Sequence, residues 1–248
     1  MAIVWPCAAR PMLADTNKWG NFELCEVSPN GDLFRITNDK RYDSFWPRLS
    51  PLRTHILFVR TPTGTHDEDF SLAEIWLCRV DGSNPIKVVD TAAYGWTLIG
   101  HPEWAPDQSR FAVTVGVPPG VRTEIVSLSF SSSPIIVTAR GGLNIDPAWS
   151  LDGKYIYFAG CPNPASCTVN DLSIMRADAA TGFLTPPEPV ANSPLADYDP
   201  MPNPDGSTIA WLSQHELPSV DFPAGLWHVR VGSGGAGRIV TPLDEPAI

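Results

Sequence analysis

Along this chain, apolar residues gather in short runs rich in β-branched and aromatic side chains, separated by proline, glycine, asparagine and serine. Runs of that length and composition predict β-strands rather than helices. Four of them follow a proline-bearing segment directly: His55-Ile56-Leu57-Phe58-Val59, Arg110-Phe111-Ala112-Val113-Thr114-Val115, Tyr155-Ile156-Tyr157-Phe158-Ala159 and Thr208-Ile209-Ala210-Trp211-Leu212. The segments before them align with one another: Trp46-Pro47-Arg48-Leu49-Ser50-Pro51, His101-Pro102-Glu103-Trp104-Ala105-Pro106-Asp107, Asp146-Pro147-Ala148-Trp149-Ser150-Leu151-Asp152-Gly153 and Asp199-Pro200-Met201-Pro202-Asn203-Pro204-Asp205-Gly206. Each segment predicts a first strand and a hairpin turn, and the run after it a second strand. Third strands are expected over 74–80, 124–128, 172–176 and 226–231, and fourth strands over 86–89, 135–137 and 238–240.

The unit is thus a four-stranded antiparallel meander, and it repeats. Its anchoring prolines, Pro47, Pro102, Pro147, Pro200 and Pro246, are spaced by 55, 45, 53 and 46 residues, a period that predicts the blades of an all-β propeller. Blades are expected at 43–92, 99–140, 145–192 and 197–242, within one domain spanning 1–248. The N-terminal unit has a second strand in Met1-Ala2-Ile3-Val4-Trp5, a third in 22–27 and a fourth in 33–37, but lacks a first. Asp244-Glu245-Pro246-Ala247-Ile248 matches that missing strand, so the reading is five blades, with 1–40 and 244–248 together making the first and closing the ring. The competing expectation is a piece of a longer propeller with six or more blades.

Composition narrows the function. With 17 Lys and Arg against 27 Asp and Glu, a formal charge of −10 argues against nucleic-acid binding driven by phosphate neutralisation. No stretch is apolar for long enough to cross a bilayer as a helix, and the first ten residues contain Trp5, Pro6, Cys7 and Arg10 rather than a secretion signal. Location is therefore open: periplasmic or secreted if a signal has been removed, cytoplasmic otherwise. Of five cysteines, Cys25 and Cys78 fall in strand runs as buried thiols, while Cys161 and Cys167 could staple the short Pro-containing loop between them.

The stretch from Asp146 to Ala159, Asp-Pro-Ala-Trp-Ser-Leu-Asp-Gly-Lys-Tyr-Ile-Tyr-Phe-Ala, resembles the repeat of TolB-type β-propellers: a proline, an aromatic, Ser, Pro-Asp-Gly, then a β-run ending in an aromatic. The chain departs from that pattern at Leu52-Arg53 and Gln108, which stand where Asp-Gly and Gly are usual, and at Leu151, which replaces a proline. Such proteins usually resemble six-bladed rings, whereas five units are counted here. The resemblance implies a binding platform with a protein partner in the bacterial envelope. Enzymes such as prolyl oligopeptidases arise in that family by fusion to a separate catalytic domain, which is not legible in these residues.

Functional residues are expected on one face. The connections from second to third strands are long (7–20, 61–72, 116–122, 160–170 and 213–225) and share that face with the entry into each first strand. The residues just before the five anchoring prolines, Trp46, His101, Asp146, Asp199 and Glu245, point toward the axial mouth on the same side and form the candidate ligand-binding set. His101, Asp146, Asp199 and Glu245 are also candidate metal ligands: the carboxylates favour calcium or magnesium, and the imidazole admits a transition metal. The structural alternative is that a residue before proline is simply held extended and that Asp there bonds turn amides.

Other features read as scaffold. His66-Asp67-Glu68-Asp69 lacks the glycine and terminal glutamate of a calcium loop and reads as solvated. Gly232-Ser233-Gly234-Gly235-Ala236-Gly237 precedes a strand rather than a helix, so it is a hairpin loop and not a dinucleotide fingerprint. Neither a zinc-protease helix nor a G-x-S-x-G elbow occurs, and most tryptophans recur at strand positions; Trp19 and Trp96 are the candidates for exposed contacts. The leading expectation is a monomeric, non-catalytic platform that binds a protein, peptide or small molecule through the loop-rich face and axial mouth. The alternative is a metal-dependent lyase or hydrolase with its site in the axial channel.

Overall fold

The computed structural model describes residues 11–66, 69–119, 122–130, 133–191, 196–203 and 206–213, together with the backbone of strands Gly225–Arg230 and Arg238–Ile239. These residues form five antiparallel sheets and no α-helix. The first sheet holds β1 (Met12–Thr16), β2 (Glu23–Val27) and β3 (Leu33–Arg35). Four four-stranded sheets follow. The second holds β4 (Tyr42–Leu49), β5 (His55–Pro62), β6 (Glu74–Arg79) and β7 (Ile86–Asp90). In the third are β8 (Ile99–Trp104), β9 (Arg110–Gly116), β10 (Thr123–Ser129) and β11 (Ile135–Ile136). The fourth contains β12 (Asn144–Trp149), β13 (Tyr155–Gly160), β14 (Ser173–Asp178) and β15 (Glu188–Ala191), and the fifth β16 (Asp197–Pro202), β17 (Thr208–Ser213), β18 (Gly225–Arg230) and β19 (Arg238–Ile239). Strand order within each sheet is sequential, so each blade is a meander.

The second strands lack polar–apolar alternation because both of their faces are covered. In β5, Ile56 and Phe58 pack with Leu24 of the first sheet, whereas Leu57 and Val59 pack with Ile99, Phe111 and Val113 of the third. In β13, Ile156 and Phe158 meet Ala112 and Ile125, and Tyr157 meets Ile209 and Trp211 of the fifth sheet. The second, third and fourth blades are therefore each sandwiched between neighbours, and the core is a series of layers between sheets rather than one central mass. Cys25 and Cys78 are free and buried, and burial pushes the Cys78 thiol up to about 11. Cys161 and Cys167 form a disulfide with Cα atoms 5.6 Å apart.

The first sheet corrects one expectation. The place beside the third strand is taken by β1, whose Thr16 pairs with Glu23 and Leu13 with Glu26, not by residues 1–5, which lie outside the described residues. Asn17-Lys18-Trp19-Gly20 allows this, because Gly20 at φ 94° donates its N–H to the Asn17 carbonyl (2.9 Å) and turns the chain directly into β2. The connection there is consequently short, and Leu13 packs on the Leu24, Ile56 and Phe58 layer. The closing strand expected at 244–248, the glycine-rich segment 232–237 and Cys7 also lie outside the described residues; the strands flanking the glycine-rich segment pair antiparallel.

The hairpins between first and second strands share one geometry. The N–H groups of Ser50, Ala105, Ser150 and Asn203 each bond the carbonyl at the start of the next strand. Three residues further on, Arg53, Gln108, Gly153 and Gly206 donate back and sit at φ 57°, 59°, 71° and 71°. Arg53 and Gln108 thus hold a left-handed conformation suited to glycine, which costs a residue with a Cβ about 1–2 kcal/mol. Glycine's greater unfolded-state entropy offsets about 0.5–1 kcal/mol of that cost. Arg53→Gly is expected to stabilise the protein by about 0.5 kcal/mol, raising the thermal midpoint by about 1–2 °C. A lower midpoint in a calorimetric scan would contradict this account of the turn.

Candidate functional site

The four first strands that the structure describes in the second to fifth blades are each broken at the same place. Pairing skips from Phe45↔Val59 to Arg48↔Leu57, from Gly100↔Thr114 to Glu103↔Ala112, from Ile145↔Ala159 to Ala148↔Tyr157, and from Tyr198↔Leu212 to Met201↔Ala210. In every case an X-Pro pair, Trp46-Pro47, His101-Pro102, Asp146-Pro147 or Asp199-Pro200, stands opposite a single residue, which is a β-bulge. Proline fits there because it has no N–H to withdraw from the ladder. The residue before it is not extended: φ is 49° at Trp46, 49° at His101, 55° at Asp146 and 50° at Asp199. The extended conformation that a following proline favours is thus overridden four times, and the bulge re-aims each side chain.

These side chains meet in chain order. The Trp46 and His101 rings lie 3.9 Å apart, and Trp46 also stacks on Phe70 at 5.3 Å. His101 Nδ1 approaches Asp146 Oδ1 at 2.9 Å. Asp146 in turn accepts a hydrogen bond from the backbone N–H of Asp199. One possible ligand atom from each of His101, Asp146 and Asp199 can be chosen so that all lie within 4.8 Å of one another. Asp15 of β1 serves Trp46 in the same way, its Oδ1 accepting the Trp46 N–H at 3.2 Å. Glu245 lies outside the described residues.

The cluster opens into a cavity of about 410 Å³, lined also by Arg48, Glu103 and Met201. Sequence reasoning did not single out Arg48 or Glu103; both follow a bulge proline and turn back into this space, where Arg48 Nε donates to Glu103 Oε2 at 2.8 Å. That repeated register was the available signal. Asp146 is only 8% exposed, and its Oδ1, although close to His101, has no aligned hydrogen bond. Its contact with the His101 ring leaves that oxygen with capacity for a further contact, which a ligand would supply.

The two carboxyls are pushed in opposite directions. Burial raises the Asp146 pKa, but the charge and side-chain contact of His101 and the Asp199 N–H outweigh it, so its value lies below the usual 3.8. Asp199 lies above 3.8, first because of burial and then because of the Asp146 charge, with His101 and Arg48 opposing. Asp146 thus stabilises the fold above the ordinary carboxylate range and loses that effect as pH falls through its lowered value. Asp199 behaves oppositely: its contribution is full below the ordinary range and is lost as pH rises through its raised value, leaving a destabilising charge at neutral pH.

Elsewhere, His66 turns inward, stacked on Phe22 at 3.5 Å with its Nε2 3.9 Å from Asp15; Asp69 is exposed and caps a short turn, and residues 67–68 lie outside the described set. Trp19 sits under Arg35, and Trp96 is partly covered by the core of the second and third blades.

No family model matches the sequence. Among solved structures, TolB of Acinetobacter baumannii superposes with a TM-score of 0.65 at 16% identity, over 93% of this chain and 53% of that one. A protein provisionally named TolB from Agrobacterium tumefaciens also gives 0.65, at 20% identity over 88% of this chain and 73% of the other. The fold is that of TolB-type β-propellers. An oligogalacturonate lyase in complex with manganese shares it with a TM-score of 0.54, at 19% identity over 85% of this chain and 54% of that one. Within a curated protein of Sulfurisphaera tokodaii, provisionally named a tricorn-like protease C-terminal subunit, 86 residues are 33% identical to this chain; they make up 34% of this chain and 10% of that protein. The fold is therefore shared by proteins named TolB and by a lyase, and no described helix here is long and apolar enough to cross a membrane.

Asp199→Asn keeps a residue type at home in the left-handed region while removing the destabilising charge. At pH 7 with excess chelator, this variant is expected to melt about 2 °C or more above the parent, with the difference vanishing toward pH 3. Differential scanning calorimetry across that pH range checks it, and an unchanged or lowered midpoint at pH 7 would refute the assignment.

Proposed function

We propose that this chain is a ligand-binding propeller whose centre is a divalent cation seated among His101, Asp146 and Asp199 at the axial mouth. The observation carrying this reading is the buried Asp146 carboxylate, whose Oδ1 lies 2.9 Å from His101 Nδ1 and whose cluster with His101 and Asp199 brings two carboxyls and an imidazole together. Ligand atoms within 4.8 Å of one another are close enough to share one cation, whose opposite oxygen ligands stand about 4.6–5.2 Å apart. Two carboxylates and one imidazole form a mixed set that suits manganese ahead of magnesium, which demands oxygen and tight octahedral geometry. The cavity around the cluster leaves room for ligand groups that the protein does not supply.

In this reading the cation neutralises Asp146 and Asp199 and presents open positions to an oxygen-bearing group of a partner or small molecule. The long loops of the same face then add selectivity. A metal-dependent lyase or hydrolase uses the same centre but needs a proton acceptor beside it. Glu103, whose pKa burial raises against the opposing charge of Arg48, gives that second reading its specific support.

A thermal melt with excess chelator, then with calcium, magnesium, manganese and zinc in turn, tests the proposal. A cation present at about 100 times its dissociation constant stabilises the native state by about 2.7 kcal/mol. Manganese is thus expected to raise the midpoint by about 5–10 °C. Asp199→Asn and Asp146→Asn are each expected to abolish most of that rise. An equal response of parent and variants, or no response to any cation, would overturn the assignment.

A further inference from the structure

A cavity of about 600 Å³ lies on the loop-rich face, between the connection leading into β8 and the adjoining ends of β9 and β10. It shares no lining residue with the axial cavity. Its volume lies within the ~300–1,000 Å³ common for small-molecule sites. Val115, Val126 and Ile136 supply an apolar wall. Beside it, the Tyr94 and Trp96 rings pack 4.6 Å apart, held by the Trp96 N–H bonding the Thr91 carbonyl, with Tyr94 52% exposed. The result is an aromatic shelf above a hydrophobic floor.

The same cavity is bordered by Arg122 and Arg140. In a chain with 27 acidic and 17 basic residues, two arginines gathered without an ion pair among the described residues need a reason. The Arg122 terminal nitrogen donates to the Pro118 carbonyl at 2.9 Å, but its Nε is buried with no acceptor. Arg140 donates to the carbonyls of Cys161 and Pro162, so the disulfide-stapled loop fixes its position. The nearby carboxylate of Glu124 is committed elsewhere, accepting from the Thr138 hydroxyl, the Gly141 N–H and Asn144 Nδ2. Burial lowers the Arg140 pKa, a cost that a bound anion would relieve.

We infer that this cleft binds a carboxylate with an aromatic or bulky apolar body: the body lies on the Tyr94–Trp96 shelf and the carboxylate meets Arg122 and Arg140. A guanidinium matches a carboxylate in planar geometry, and charge-assisted hydrogen bonds are stronger than neutral ones. Such a group occurs in free organic acids and at peptide C-termini, and the chemistry of recognition is shared.

The test is a calorimetric titration with 3-phenylpropionate and its uncharged counterpart 3-phenylpropanamide. The acid is expected to bind at least about 10-fold tighter, the loss of one charge-assisted contact. Arg122→Gln and, separately, Arg140→Gln should reduce that preference while leaving the amide's affinity unchanged. Tyr94→Ala, at a half-exposed position, should weaken both ligands alike with the thermal midpoint held near the parent's, and Asp199→Asn should alter neither affinity. A short peptide ending in a free phenylalanine carboxylate, set against the same peptide amidated, identifies the source: binding tighter than phenylpropionate assigns a peptide terminus, weaker binding a free acid. Equal affinity for acid and amide, no binding of either at millimolar concentration, or a preference surviving loss of both arginines would overturn the inference.

Discussion

The four bulges in the first strands are the constraint on which the candidate site depends. A regular strand alternates its side chains between faces, and in a blade covered on both sides those faces are spoken for by neighbouring sheets. A residue that must point along the axis therefore has to leave the pleat. Here it leaves at an X-Pro step, in the left-handed region, where Trp46, His101, Asp146 and Asp199 each hold a conformation that L-residues usually avoid. Strain repeated in this way needs surrounding structure to maintain it. Part of that support is visible: the Trp46 N–H is taken by Asp15 and the Asp199 N–H by Asp146, each a carboxylate from the preceding blade. At Asp146 bulge geometry and anionic character are coupled, because the carboxylate that accepts the Asp199 N–H also charges the site.

The sequence made the strands legible where their environment was uniform. Ile56-Leu57-Phe58-Val59 and Ile156-Tyr157-Phe158-Ala159 are apolar at every position because both faces are buried, and the proline-bearing segments mark the strands before them. β1 was harder to read, since Met12-Leu13-Ala14-Asp15-Thr16 buries only one large side chain against a neighbour, while the more apolar residues 1–5 imitated the Trp211 run. The pre-proline residues are legible as a set, whereas the left-handed backbone that aims them is not. The local rule favours the extended region before proline, and the bulge that overrides it depends on strand pairing rather than on the dipeptide. Arg48 and Glu103 escaped notice because their direction depends on the same bulge.

Electrostatically the two cavities are opposite. Asp146, Asp199 and Glu103 outweigh Arg48 in the axial cavity, so its charge invites a cation. The outer cleft carries Arg122 and Arg140 beside a glutamate whose hydrogen bonds go to neutral donors, so its charge invites an anion. A rigid layered core holds both, and the loop stapled by Cys161 and Cys167 fixes one side of the cleft through Arg140. The two cavities share no lining residue and carry opposite charge.

The central claim is that the bulged side chains converge to hold a cation. An anomalous difference map at the manganese edge, from crystals grown with manganese and without chelator, tests it most directly. The account predicts a peak within about 2.0–2.6 Å of a His101 ring nitrogen and of a carboxylate oxygen from both Asp146 and Asp199. A well-ordered site with no peak there, or a peak bound only by residues elsewhere, would contradict it.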